Sequence, residues 1–159
     1  MYKGKMTWRD FAWYFEGEGS LGYYRGDDHR SKYRLRVSIT STNKILIKEI
    51  REQFPMKGNI CRSGIKGHGE GNRVLHKDAW QIRWMSGKPL PLLEQIVKYL
   101  PAYSEKLPQI EFALRVGNYA NEWQMMKMKK MKKQTVGERQ PHLDFPPMDQ
   151  KILPFEVIA

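Results

Sequence analysis

Near its beginning the chain reads Phe11-Ala12-Trp13-Tyr14-Phe15-Glu16-Gly17-Glu18-Gly19-Ser20-Leu21, which is its most informative segment. An apolar helical run ends in two acids and two glycines, and the chain then passes directly into residues typical of a strand. Carboxylates at the C-terminal end of a helix face the negative end of its dipole, which costs about 0.3–1 kcal/mol each. Two interpretations are open: the acids hold a divalent cation, or the helix ends at a glycine cap with both acids in water.

The composition indicates a nucleic-acid binder. The chain has 159 residues, enough for one domain with a core, and its 28 Lys and Arg against 17 acids give a net charge of +11. Neutralising phosphates supplies most non-specific affinity for nucleic acids, and such an excess of cations is its signature. The single cysteine, Cys61, excludes a disulfide framework and indicates an intracellular, reducing compartment. Because no apolar run of about 18 residues and no signal peptide is visible, we expect no membrane anchor.

Hydrophobic periodicity predicts the order helix-strand-strand-helix-strand-strand-helix-helix. Thr7, followed three residues later by Asp10, predicts a helix start and hence a helix from Trp8 to Glu18. Strands are predicted over 20–26, 32–41, 58–63 and 74–84, and further helices over 43–54, 92–100 and 107–119.

The segment 32–41 alternates with particular clarity. Tyr33, Leu35, Val37 and Ile39 fall on one face, while the other face carries Arg34, Arg36, Ser38 and Thr40. A second polar stripe, Gln81 and Arg83, alternates with apolar residues in the last predicted strand. A sheet with one basic face points to nucleic-acid binding, and the alternative is an ordinary solvated face.

Residues 11–19 resemble the motif that names the LAGLIDADG homing endonucleases, with Glu-Gly-Glu-Gly standing where that family has Asp-Ala-Asp-Gly or Asp-Gly-Asp-Gly. The resemblance implies an α+β fold, an αββαββα domain over residues 1–120 in which helices back a four-stranded antiparallel, saddle-shaped sheet. Trp13 departs from the pattern, because the family usually has a small glycine there to let two motif helices approach closely.

The resemblance also implies an activity: site-specific cleavage of both strands of DNA by phosphodiester hydrolysis with a divalent metal, Mg²⁺, as in intron homing. The chain carries one copy of the motif, so the implied assembly is a homodimer on a long pseudo-palindromic target. Two alternatives on the same fold stay open. One is a maturase that assists splicing of intron RNA, and the other is a DNA-binding regulator that does not cleave.

Within the resemblance, Glu18 matches the catalytic acid and metal ligand, and the adjacent Gly17 belongs to the implied metal site. Lys106 matches a basic residue that stabilises charge on the phosphate or orients the attacking water; its alternative is a loop lysine in solvent. Ser41 matches a third, polar position and would act through water. Glu16 lies about 200° around the helix from Glu18, so we assign it to the helix end or to the subunit contact.

Sequence readout is expected from the open sheet face, because alternate side chains of a sheet in the major groove meet base edges. The DNA-binding candidates from the strands and the intervening turn are Ser20, Gly22, Tyr24, His29, Arg30, Lys32, Arg34, Arg36, Ser38, Thr40, Asn59, Cys61, Ser63, Gln81 and Arg83.

The C-terminal part differs in kind and lies outside the resemblance. Residues 121–134 predict a basic, Met-rich helix with Met125, Met128 and Met131 on one side. Its lysines either face water or contact phosphates. Four prolines in 135–159 predict an extended arm that wraps the domain.

Overall fold

The computed structural model describes residues 4–26, 32–63 and 78–138, with side chains as far as Lys133. This part of the chain forms five helices and five strands. In chain order they are α1 (Trp8–Glu18), β1 (Gly19–Arg25), β2 (Tyr33–Ser41), α2 (Lys44–Gln53), β3 (Asn59–Ser63), β4 (Ala79–Trp84), α3 (Pro89–Val97), α4 (Leu107–Val116), β5 (Tyr119–Ala120) and α5 (Glu122–Glu138).

Helix α1 begins where the sequence predicts. The Thr7 hydroxyl accepts from the Asp10 amide at 3.2 Å, and the Asp10 carboxylate accepts from the Thr7 amide at 2.9 Å. Hydrogen bonds from the Thr7 backbone and side chain lower the pKa of Asp10. This reciprocal capping box satisfies two amides that the first turn of a helix leaves without partners.

Helix α1 passes into β1 without a loop. Gly19 ends the helix, its amide donating to the Phe15 carbonyl, and it is also the first residue of the strand. A Cβ on Gly19 would lie 2.5 Å from the Phe15 carbonyl oxygen, so only glycine fits this close approach. The joint therefore places Glu18 where the helix meets the sheet.

The sheet is antiparallel, with the strand order β1-β2-β4-β3. One face packs on the helices, and its core side chains include Leu21, Leu35, Val37, Ile39, Ile82 and Trp84, all at most 1 % exposed. Helices α1 and α3 contribute Phe11, Phe15, Leu92, Leu93 and Ile96 to this core, and α2, α4 and α5 contribute further buried side chains. The predicted α+β class, a sheet backed by helices, is confirmed.

Several details of the prediction are wrong, and α3 spans Pro89–Val97 instead of 92–100. The sheet has a fifth, short strand, because Tyr119 and Ala120 pair with Arg34 and Tyr33 at the beginning of β2. The preceding helix ends at Val116 and not at Tyr119, since Gly117 takes a φ of 92° that turns the chain out of the helix. The Tyr23 hydroxyl donates to the Gly117 carbonyl at 2.6 Å and so ties this turn to β1.

Helix α5 packs against α4 and β1. Met125 and Met128 are buried and Met131 is half-buried, which confirms the predicted apolar side of this helix. The helix continues to Glu138, four residues beyond its predicted end. The rest of the predicted arm, 139–159, lies outside the described residues, as do 27–31 and 64–77. No helix in the described ranges is long and apolar enough to cross a bilayer.

Candidate nucleic-acid interface and active site

The polar side chains proposed to read DNA share one face of the sheet. Ser20 lies opposite Ser38, Ser38 opposite Arg83, and Arg83 opposite Asn59, which makes one row across four strands. Directly opposed residues of antiparallel strands project from the same face. Thr40, Gln81 and Cys61 form a second row on the same face. The alternate positions of the strands add Ser63, Gly22, Tyr24, Arg34 and Arg36.

Hydrogen bonds between side chains hold part of this face in position before any ligand binds. The Gln81 side-chain amide donates to the Thr40 hydroxyl at 3.1 Å, and Arg83 Nε donates to the Gln81 side-chain oxygen. The guanidinium of Arg83 is thereby held over β4 with its remaining donors available. A group positioned in this way loses less conformational entropy when it binds.

A stacked pair occupies the part of the face nearest β1. The Arg36 guanidinium carbon lies 3.7 Å from the centroid of the Tyr24 ring, a cation–π contact that leaves the edges of the guanidinium free to donate. Tyr24 is exposed. Arg36 and Tyr24 together offer a cation and an aromatic ring to a ligand of the open sheet face.

The candidate readers differ in exposure. Lys32 is exposed just before β2, whereas Gly22 is buried and Ser38 is only 7 % exposed. His29 and Arg30 lie outside the described residues, so their predicted contacts stay predictions.

Glu18 and Ser41 line one cleft. This cleft has a volume of about 370 Å³, lies where α1 meets the ends of β2 and β4, and is lined by Tyr14, Glu18, Thr40, Ser41, Thr42 and Ala79. Glu18 is exposed, and within the described residues it forms no hydrogen bond or ion pair. The structure thus brings together two of the three residues that the resemblance marks as catalytic.

Lys106 contacts the same helix end but does not line the cleft that Glu18 lines. Its ammonium donates to the backbone carbonyl of Glu16 and lies 5.8 Å from the centroid of the Phe15 ring. A cation at this position opposes the negative end of the α1 dipole. Lys106 is half-buried and is therefore not the solvated loop lysine of the alternative interpretation.

Glu16 joins α1 to the start of α4. Its carboxylate accepts from the Ser104 hydroxyl and from the Glu105 amide, the latter at 3.0 Å. Ser104, which is buried, in turn accepts from the amides of Lys106 and Leu107 at 3.2 Å each. The acid thus lies at the positive end of α4, where the dipole favours it. Glu16 thus serves the start of α4, whereas the sequence assigned it to the end of its own helix or to the subunit contact.

Ser104 is a position beside the candidate site that the sequence analysis missed. The available signal was a serine three residues before the first helical residue of α4, with Pro108 in the first turn. Its hydrogen bonds fix the backbone that carries Lys106. The positions of Glu16, Ser104 and Lys106 are therefore coupled.

The cleft beside Glu18 fits a hard divalent cation. Mg²⁺ takes oxygen ligands, commonly one or two carboxylates together with waters and substrate phosphates. Glu18 supplies a carboxylate, and Thr40, Ser41 and Thr42 add hydroxyls to the wall. In the described ranges no three His, Cys, Asp or Glu side chains gather at one place. A cation bound here would thus draw its remaining ligands from water, from substrate or from a second copy of the chain.

An antiparallel sheet with an open basic face, backed by helices and entered directly from an acid-ended first helix, is the fold of the LAGLIDADG homing endonucleases. Among solved structures, the chain is similar to I-SmaMI bound to uncleaved DNA target in the presence of calcium ions. The two share 16 % identity over 83 % of this chain and 42 % of that one, with a TM-score of 0.51.

Two further similar structures are I-CvuI with its target in the presence of Ca and the archaeal intron-encoded I-Vdi141I with DNA. For I-CvuI the identity is 18 %, the coverage 82 % of this chain and 73 % of that one, and the TM-score 0.48. For I-Vdi141I the identity is 12 %, the coverage 80 % of each chain, and the TM-score 0.49. No protein-family model and no curated protein matches the chain. At 16 % identity, the similarity to I-SmaMI shows the fold alone.

Proposed function

We propose that this chain is a site-specific DNA endonuclease that cuts both strands of a long pseudo-palindromic target with Mg²⁺ and acts as a homodimer. One observation carries the proposal. Glu18, an exposed acid with no partner among the described residues, lies beside Ser41 at the end of the sheet whose open face carries Arg34, Arg36 and Arg83. The Glu18 carboxylate destabilises the C-terminal end of α1, yet it lies next to a surface that is suited to a DNA groove.

The chemistry follows from the groups around this helix end. A divalent cation would supply charge stabilisation on the scissile phosphate and a water activated for attack. Glu18 would hold the cation, the hydroxyls of Thr40 and Ser41 would orient water at the cleft wall, and Lys106, which donates to the Glu16 carbonyl, would oppose negative charge at this helix end. Glu16 and Ser104 hold Lys106 in place without contacting the DNA.

The homodimer is proposed because one carboxylate per chain is half of what two-strand cleavage needs. The outer side of α1 is available for pairing: Gly17 is exposed and Trp13 is 47 % exposed. Trp13 lies in a cleft of about 360 Å³ with Tyr99 and Pro101 of its own chain, and does not enter the core. If two α1 helices paired, Trp13 would lie at the border of their contact, and the helices would approach each other most closely at Gly17.

The test uses a duplex that joins the DNA sequences on either side of the genetic element that carries the gene. Purified protein with Mg²⁺ is expected to cut both strands of this duplex at one position. Glu18→Gln removes the metal-binding charge at nearly constant volume, so it should abolish cleavage and leave affinity in Ca²⁺ unchanged. Glu49→Gln, an exposed acid on α2, is the matched control and should cut at the wild-type rate.

Three outcomes contradict the proposal in different ways. Cleavage by Glu18→Gln at the wild-type rate would show that the catalytic acid is wrongly assigned. Tight binding of the duplex without cleavage in any divalent metal would indicate a DNA-binding regulator. Binding to the intron RNA in preference to the duplex, again without cleavage, would indicate a maturase.

A further inference from the structure

A cation from α5 occupies a side-chain position of β1. Leu21 and Tyr23 face the core, so the missing side chain of Gly22 would project from the open face of the sheet. A Cβ built on Gly22 would lie 3.0 Å from Nζ of Lys132. The Lys132 ammonium therefore stands where a side chain of β1 would stand, and Gly22 provides the space for it.

The geometry of α5 directs Lys132 to this place. Met125 and Met128 are buried, and Lys132, seven and four residues later, lies on the same side of the helix. β1 is an outer strand of the sheet, and α5 packs against it. The inward side of α5 thus ends in a lysine that reaches past the outer strand to the polar face.

The surroundings of Lys132 are cationic. Arg36 lies directly opposite Gly22 in the β1–β2 pair and stacks on Tyr24. Burial lowers the pKa of Lys132, and the Arg36 charge lowers it further, while Tyr24 acts in the opposite direction. Of the described carboxylates, none forms an ion pair with Lys132 or Arg36. Two like charges held together in this way are relieved when an electron-rich group binds between them.

We propose that Lys132 is a specificity-determining residue that takes over, from outside the sheet, the reading position that Gly22 leaves empty in β1. The inference rests on the proposed function. Its ligand is the hydrogen-bond acceptor edge of a purine, above all O6 and N7 of guanine, which is the commonest major-groove partner of lysine. The base pairs concerned lie between those that face Ser20 and those that face Tyr24.

The experiment selects binding sites from a pool of random duplexes in Ca²⁺, with Glu18→Gln as the parent protein so that nothing is cut. Lys132→Gln is compared with the parent, and Lys133→Gln, the exposed neighbour on α5, is the matched control. In Lys132→Gln, discrimination at one short block of each half-site should fall by about 5- to 150-fold, with the other positions unchanged. Lys133→Gln should keep the parent's preferences.

Gly22→Ala tests the same contact from the other side and serves if Lys132→Gln does not fold. The added Cβ meets only ends of side chains, Lys132 Nζ and the Tyr24 ring, so the strand can accept it. It should alter preference at the same block as Lys132→Gln. The double variant should show no more than the effect of Lys132→Gln alone, because both changes act on one contact.

The outcomes separate the two proposals. A parent that enriches no sequence overturns the proposed function and this inference with it. A parent that enriches a motif which Lys132→Gln and Gly22→Ala leave unchanged overturns the inference alone. A uniform loss of affinity, with the salt dependence reduced by about one counterion, also overturns it, because Lys132 would then contact a phosphate.

Discussion

Glu16 and Ser104 are hydrogen-bonded although 88 residues separate them in the chain. This contact fastens the end of α1 to the start of α4 and leaves the neighbouring acid, Glu18, exposed in the cleft. The two acids of the Glu-Gly-Glu-Gly sequence thus have different surroundings, and substitutions should distinguish them.

Glu16→Gln should destabilise the fold by about 1–3 kcal/mol, because a charged acceptor of two hydrogen bonds becomes a neutral one. Urea unfolding would measure the loss, with Glu18→Gln as the control whose midpoint should not fall below the wild-type value, because this change removes a carboxylate from the negative end of the α1 dipole. Cleavage by Glu16→Gln should also slow, since the backbone that carries Lys106 loses its anchor. Equal loss of stability in both variants would contradict the division of roles.

Arg34→Ala and Arg36→Ala should each relax preference at particular target positions by about 1–3 kcal/mol. Binding to duplexes substituted one base pair at a time would locate these positions. Arg62→Ala is the control, because Arg62 pairs with Asp78 and lies on the opposite face of β3 from Cys61. A lowered melting temperature with unchanged preference would make the two arginines structural.

Gly17→Leu should separate folding from assembly. Apart from its chain neighbours and the backbone of its own helix, no described atom lies within 4 Å of a Cβ at Gly17, and leucine forms helix better than glycine by up to about 1 kcal/mol. The single chain should therefore keep or gain stability, while the leucine blocks the approach of a second α1. Sedimentation with and without a target duplex would show monomers for Gly17→Leu and dimers for Gly17→Ala. Dimers of Gly17→Leu would place the subunit contact elsewhere.

Tyr23 gives the fold a dependence on alkaline pH. Burial raises the pKa of Tyr23 to about 12 from the usual 10, so the folded state favours the neutral hydroxyl that donates to Gly117. This contribution to stability is complete below pH 10 and is lost as the pH rises to 12. The free energy of unfolding should fall more steeply in that range for wild type than for Tyr23→Phe. Parallel curves would show that the hydroxyl ionises without a penalty.

The features of the fold that were predicted from the sequence are those that depend on residues close together in the chain. The capping box of Thr7 and Asp10, the alternation of 33–41 and the apolar side of α5 are local patterns that neighbouring residues determine. The Glu16–Ser104 bond and the placement of Lys132 over Gly22 join residues far apart in the chain, and no periodicity encodes such pairs. The sequence did not predict β5, because two residues are too few to show an alternating pattern. It also misplaced the end of α4, because this end depends on the conformation of Gly117.

Helix α5 has a consequence for solubility. An outer strand exposes unpaired amides and carbonyls, which can recruit a strand from another molecule and start aggregation. At β1, the strand that follows the motif helix, α5 packs along this border of the sheet and obstructs such recruitment. β3 forms the opposite border of the sheet, and there the exposed charge of Arg62 hinders the pairing of a foreign strand, although less completely than α5 does at β1. A chain cut before Glu122 would leave the border of β1 uncovered, and we expect it to associate through this strand.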